Sequence, residues 1–233
     1  MNRKKRSGII PMSAGLCLII FALVLTVYNM WTDQRAGKES DEVLRIITGE
    51  SAEAAEPDYN GGEVNYEDEA VYYITPEPYM AANPDGSYEE DAPLYMMYPE
   101  MKMPTKAVNG HDYIGVLYID ELGLELPVLS ELTYPGLRSS PCRYKGSAYD
   151  GNLIIAAHNY NTHFGRIKNL SPGSVIRFTD IDNNEFIYVV QTMETLPGTA
   201  IEEMEAGGWD LSLFTCTYGG ASRITIRCSL EMN

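Results

Sequence analysis

Apolar positions divide the chain into three unlike stretches. No residue between Arg6 and Asp33 is charged, and positions 15–30 are almost wholly apolar. A bilayer-crossing helix needs about 20 such residues, and positions 8–31 supply them. Positions 33–105 are poor in aliphatic residues and punctuated by Pro and Gly, with Glu42-Val43-Leu44-Arg45-Ile46-Ile47 reading as a short helix that ends at Gly49. From Lys106 onward, short apolar runs alternate with turn signals. Residues 113–119 (YIGVLYI) read as a strand followed by a turn at Gly123, and 126–129 (LPVL) as another. Residues 152–157 (NLIIAA) are apolar on both faces, the mark of a buried strand. Residues 174–179 and 185–190 flank Asp182-Asn183-Asn184, a hairpin signal. Residues 211–216 and 223–230 close the chain around Tyr218-Gly219-Gly220, and only 164–170 and 200–206 read as helical. About eight short strands in ~125 residues predict an all-β fold, a closed or nearly closed β-barrel with one or two short helices.

Charge sharpens these divisions. Lys and Arg number 17 against 33 Asp and Glu, a formal net charge of −16. Residues 1–32 carry +4, residues 33–105 carry −14 and residues 106–233 carry −6. A nucleic-acid binder needs a basic face, so that class is excluded. The basic MNRKKR start stays on the cytoplasmic side, while Tyr28 and Trp31 suit the opposite interface. Nothing after the apolar run offers a small-x-small cleavage site close enough for a cleaved signal peptide, since Gln34-Arg35-Ala36 does not fit and Ala52-Glu53-Ala54 lies too far on. Leu16 before Cys17 argues against a lipoprotein. The expectation is a cytoplasmic tip and transmembrane signal anchor (1–32), a mostly disordered acidic spacer (33–105), and an extracellular folded domain (106–233) on a single-pass protein of the cell membrane, no apolar tail preceding Asn233. Eight tyrosines lie in the spacer. They fit either a sticky stalk or a segment, 94–103, that packs on the folded domain or covers its cleft.

The candidate chemistry lies at strand ends. His158 follows the buried NLIIAA run directly, and Cys216 ends LSLFTC just before the turn. A scaffold presents function at such places, and a thiol with a nearby imidazole is a nucleophile arrangement. A satisfied histidine and a small buried cysteine fit the same positions, so position alone leaves both readings open. In residues 223–228, alternation places Arg223, Thr225 and Arg227 on one face and Ile224, Ile226 and Cys228 on the core face. If the 218–221 turn makes Cys216 and Arg223 neighbours, a guanidinium stands beside the thiol, where it can hold a developing oxyanion. Arg227, roughly 13 Å further along the strand, is too distant for that work.

The order His158, Cys216, Arg223, with the cysteine in Leu213-Phe214-Thr215-Cys216, resembles the sortase family. Ser212 stands where Thr is commoner before the L-x-T-C segment, and Ala157 where Gly is commoner before the histidine. Residues 113–129, with Ile114-Gly115 and Leu124-x-Leu126-Pro127-Val128, resemble the family's opening strands. The resemblance covers about 110–230. It implies an eight-stranded barrel and a cysteine transpeptidase of Gram-positive surfaces, in which Cys216 is the nucleophile, His158 the acid/base and Arg223 the oxyanion and substrate-orienting group. Asn159, Thr215 and Ala157 flank these and are candidate substrate contacts, although Thr215 points to the other side of its strand. The implied partners are secreted proteins bearing an LPxTG-like sorting motif and an amine from a cell-wall precursor or pilin. No cofactor or metal is implied, though some sortases bind calcium weakly. The short stretch 191–210 before the cysteine strand does not fit the long helical insertion of class B, and no aspartate-aromatic plug is evident in the spacer, which leaves the class open.

Two alternatives belong to other classes. An L,D-transpeptidase also runs His, Cys, Arg, but places His-Gly before its cysteine, and Phe214-Thr215 does not match. A non-catalytic binding module on the same barrel need not keep all three residues. Of the remaining groups, His111 reads as a surface residue and His163 as a loop residue that could line the cleft near His158. Asp180, Asp182 and Glu185 fit a hairpin turn more simply than a calcium site. Cys142 and Cys228 could pair, though Cys228 reads better as core.

Overall fold

The computed structural model describes residues 9–49 and 93–231. The apolar runs form β2 (His111–Ile119), β3 (Leu124–Leu129), β4 (Cys142–Lys145), β5 (Leu153–Ala157), β6 (Val175–Asp180), β7 (Glu185–Pro197), β8 (Leu211–Cys216) and β9 (Ser222–Leu230). They pair in the order β2-β3-β4-β5-β8-β9-β7-β6, and β6 pairs again with β2, so eight strands close into a barrel. A short strand β1 (Lys106–Val108) lies antiparallel to the start of β2. The β2–β3 pairing bulges between Tyr113 and Gly115, where β2 begins to meet β6. A Cβ on Gly115 would run into the Thr179 carbonyl, so glycine is what lets β6 come close. Inside, Ile114, Leu117, Ile155, Phe178, Leu213 and Ile226 are fully enclosed, consistent with alternation along each strand. β1 and β4 escape the sequence reading because runs of three and four residues carry no readable period.

Strand direction defines two ends. β5 and β8 are parallel and both finish at one end, the rim. The β4–β5 connection and the β6–β7 hairpin lie at the other. There Tyr149 donates to the Asp180 carboxylate at 2.7 Å, and Asn184 donates to the same carboxylate from its backbone and side-chain nitrogens at 2.8 Å each. Asp180 thus serves the hairpin turn. Helix α2 (Leu94–Met97) brings Tyr95 into a stack on Tyr149, ring centroids 4.4 Å apart, and the buried Met103 accepts from the Ala148 N–H through sulfur. The segment 94–103 therefore packs on the barrel, but it seals the far end and leaves the cleft open.

The region that follows the apolar run differs from expectation. In place of a short helix at 42–47 after a loose stretch, α1 runs unbroken from Ile9 to Thr48, about 60 Å at 1.5 Å per residue. Its apolar residues from Leu16 to Trp31 are exposed, whereas Ala36, Ser40 and Val43 are buried on the barrel flank against β1 and β3. The spacing of these three, four then three, is that of one helix face. Lys106 Nζ donates to the Ile46 and Ile47 carbonyls at 3.0 and 3.4 Å, satisfying acceptors that a helix end leaves open. Residues 33–48 thus belong to the folded body, and most of the expected spacer, 50–92, lies outside the described residues.

Candidate functional site

The register of two parallel strands brings the first two groups together. Ala157 of β5 pairs with Thr215 of β8, so His158 and Cys216 are the next residues out at the same rim. Both are half-buried. Cys216 in turn pairs directly with Arg223 across β8 and β9, a position where Cβ atoms stand about 4.5–5.5 Å apart. The connecting turn is tied by Thr217 N–H to the Ser222 carbonyl at 2.9 Å and by Ser222 N–H to Thr217 Oγ1 at 3.2 Å. Gly219 and Gly220 take φ of +88° and +74°, which side chains disfavour. The Arg223 guanidinium donates from Nη1 to the Gly220 and Ser222 carbonyls at 3.0 and 3.2 Å, which fastens it to the turn beside the thiol.

The flanking candidates separate. Asn159 lines a rim cleft with Tyr160, Tyr218 and the end of the apolar helix. Thr215 and Ala157 do not face that cleft. Both are buried, and Thr215 Oγ1 donates to the Ala157 carbonyl at 2.8 Å. They brace β5 against β8 under the site. Arg227 stands apart from the site, as its distance along the strand implies. It is 2% exposed and donates to Glu194 Oε1, Ser212 Oγ and the Met204 and Glu203 carbonyls at 2.6–2.9 Å. Helix α3 (Ile201–Glu205) covers this face of β9, a cover that alternation alone does not reveal.

Burial, then the Arg138 cation, holds the His158 imidazole below its ordinary pKa, favouring the neutral ring. Next to it stands a group that sequence reasoning placed in a loop. His163 is fully enclosed, and Tyr160 lies between the two imidazoles with ring centroids 5.0 Å from His158 and 5.6 Å from His163. Burial, reinforced by the charge of His158, pushes His163 down to about 4. Among the described residues neither of its ring nitrogens has a well-formed hydrogen bond, and the Ser139 main chain pulls weakly toward the charged form.

The neighbouring Thr162 is held by α1. Its backbone N–H and Oγ1 donate to Asp33 Oδ1 at 3.1 and 2.6 Å. Burial acts to raise the Asp33 pKa, but these bonds and those from Asn161 outweigh it and keep the carboxyl below its usual range. Gly37 lies so close that an added Cβ would stand 3.0 Å from Thr162 Cγ2. The only sequence signal for this joint is small residues (Ala36, Gly37, Ser40) on one face of a charged stretch.

Cys142 and Cys228 are free thiols in separate core clusters, pushed up by burial to about 11 and about 12, so neither is a reactive thiol nor half of a disulfide. His111 is exposed at the start of β2.

Residues 117–231 match the sortase domain family. No protein of curated function matches the chain. Solved structures that it resembles include a Clostridium perfringens sortase D5 transpeptidase (22% identity, 55% of this chain and 83% of that one, TM-score 0.47). Others are sortase C from Clostridium perfringens SM101 (19%, 52% and 71%, TM-score 0.44) and sortase C1 from Streptococcus agalactiae (19%, 55% and 72%, TM-score 0.47). With a sortase domain matched over nearly all of its barrel, the chain belongs to the sortase family.

Proposed function

We propose that the protein is a membrane-anchored cysteine transpeptidase that cuts an LPxTG-like sorting motif and joins the acyl half to an amine of the cell wall or of a pilin. The observation that carries this reading is the placement of His158, Cys216 and Arg223 on three consecutive strands at one rim. Cys216 Sγ attacks the backbone carbonyl carbon of the motif. His158 takes the thiol proton and passes it to the leaving amine as the amide C–N bond breaks, which leaves a thioester on Cys216. An incoming amine then attacks the thioester carbon, gives its proton to His158, and releases the thiolate as the C–S bond breaks. Arg223 faces the oxygen that becomes negative in both steps, and a cation fixed in place by its own turn is well suited to that work. Burial of His158 beside Arg138 favours the neutral imidazole, the form that accepts a proton.

The anchor belongs to the same proposal. The apolar part of α1 from Leu16 to Trp31 is exposed, as a bilayer span is before lipid covers it. The basic N-terminus favours a cytoplasmic start and an extracellular barrel. The test is the full chain in detergent with a quenched LPxTG-like peptide library and an excess of a small amine. A ligated peptide–amine product from the wild type, absent in Cys216→Ala, is the expected result. Equal product from Cys216→Ala would overturn the mechanism.

A further inference from the structure

We infer that the rim carrying His158 and Cys216 sits on the outer membrane surface, with the turn at Tyr218 and the loop at Asn159 embedded in the lipid headgroup layer. This rests on the reading of α1 as a membrane span.

The first observation is the joint. Asp33 is bonded to Thr162, Gly37 packs against Thr162, and Ser40 donates to the Ser139 carbonyl at 3.3 Å. Thr162 lies four residues after His158, so α1 is docked on the rim side, and its C-terminal half runs down the flank to Lys106. The apolar half of the same unbroken helix then leaves past the rim. A bilayer around it meets the rim first, not the sealed far end.

The second observation fixes the level. Tyr218, Gly219 and Asn159 line one cleft together with Thr26, Asn29 and Met30 of α1. Thr26 lies five residues before Trp31, about 7 Å along a helix. The headgroup region on each side of a bilayer is about 5–8 Å thick. The turn is therefore level with the last residues of the span.

The third observation is chemical. In a chain of net charge −16, neither residues 217–222 (TYGGAS) nor residues 159–162 (NYNT) carry any charge. Tyr218 is 88% exposed on its turn, on the cleft that the end of the span also lines, and Tyr28 and Trp31 lie in that same end of the span. Tyrosine and tryptophan are the side chains that favour this layer, with an apolar ring and a polar tip. Cys216 thus opens toward the lipid surface, and peptide and amine reach it along the membrane.

The test uses three sole-tryptophan versions of the full chain in vesicles containing brominated lipid, a short-range quencher. The protein has two tryptophans, Trp31 and Trp209. Trp31 alone (Trp209→Phe) reports insertion of α1. Trp209 alone (Trp31→Phe) reports the far end, since it precedes β8, whose six residues put it about 20 Å from the rim. Tyr218→Trp in a background lacking both reports the turn. The expected result is emission loss at position 218 comparable to that of Trp31, with Trp209 unaffected. If Trp31 is quenched while position 218 stays as bright as Trp209, the anchor stands and the rim is not at the surface. Loss at Trp209 as strong as at 218 also overturns the orientation, and no quenching at any position overturns the anchor together with it.

Discussion

Strands β8 and β9 carry two cysteine–arginine sets, one at each end, and the two behave as opposites. At the rim Cys216 faces Arg223 across the ladder, and both are half-buried. Toward the far end Cys228 pairs with Leu211 and Arg227 with Ser212, and all four are almost fully enclosed. Arg227 spends its donors on Glu194, a hydroxyl and two carbonyls, and the Cys228 thiol is driven up to about 12 by burial. Among the described residues Arg223 bonds only to carbonyls of its own turn, which leaves the rest of its fork open there. The same residue types are structural where four of an arginine's five donors are bound to buried partners and available for chemistry where most are left over.

Replacement sharpens the contrast. Cys216→Ala is expected to remove turnover by at least about a thousandfold, with unfolding in urea unchanged, whereas Cys228→Ala keeps turnover and costs about 1 kcal/mol of stability. Kinetics and denaturation on the same two proteins read both. In the arginines the same division recurs. Arg227→Met strips four hydrogen bonds and leaves Glu194 unpaired, a loss of about 3 kcal/mol. Arg223→Met is expected to leave stability within about 0.5 kcal/mol and to lower kcat/KM roughly a hundredfold. An Arg223 variant that unfolds early but works normally would place it with Arg227.

Buried His163 gives the rim a pH signature. Its folded pKa of about 4 lies below the unfolded value of about 6.5, so the unfolded chain binds the extra proton between these limits. Stability contributed by the neutral ring is complete above the upper limit and falls as the pH drops toward the lower one. At about pH 5 the loss is roughly 2 kcal/mol. The measurement is the difference between wild type and His163→Gln in urea midpoints at neutral and acidic pH, and parallel curves would remove His163 from the account. A smaller effect is expected at Arg138, whose cation adds to burial in depressing the His158 pKa. Arg138→Gln should raise that pKa and move the acid limb of kcat/KM to higher pH by a fraction of a unit.

The strands that build the site were the most legible part of the sequence. NLIIAA, LSLFTC and residues 223–230 are apolar enough on the core side to announce themselves, and each site residue stands at a run's end. What stayed hidden depends on contacts outside a strand's own period. Alternation cannot tell that α3 covers Arg227, nor that the polar-looking NTHF segment turns His163 inward. The docked half of α1 is held by small residues and the Asp33–Thr162 bonds, and a hydrophobic count gives such a face no weight. The Thr215–Ala157 bond is equally out of reach of a strand's period, since it joins two strands distant in sequence.

The claim beneath all of this is that Cys216 forms the thioester. Intact-mass analysis of the full chain in detergent, incubated with an LPxTG-like peptide and no amine, tests it most directly. The account predicts a mass gain equal to the acyl half of the peptide, lost on addition of amine and absent in Cys216→Ala. An adduct that persists in Cys216→Ala, or no adduct while a general thiol reagent still labels Cys216, would contradict it.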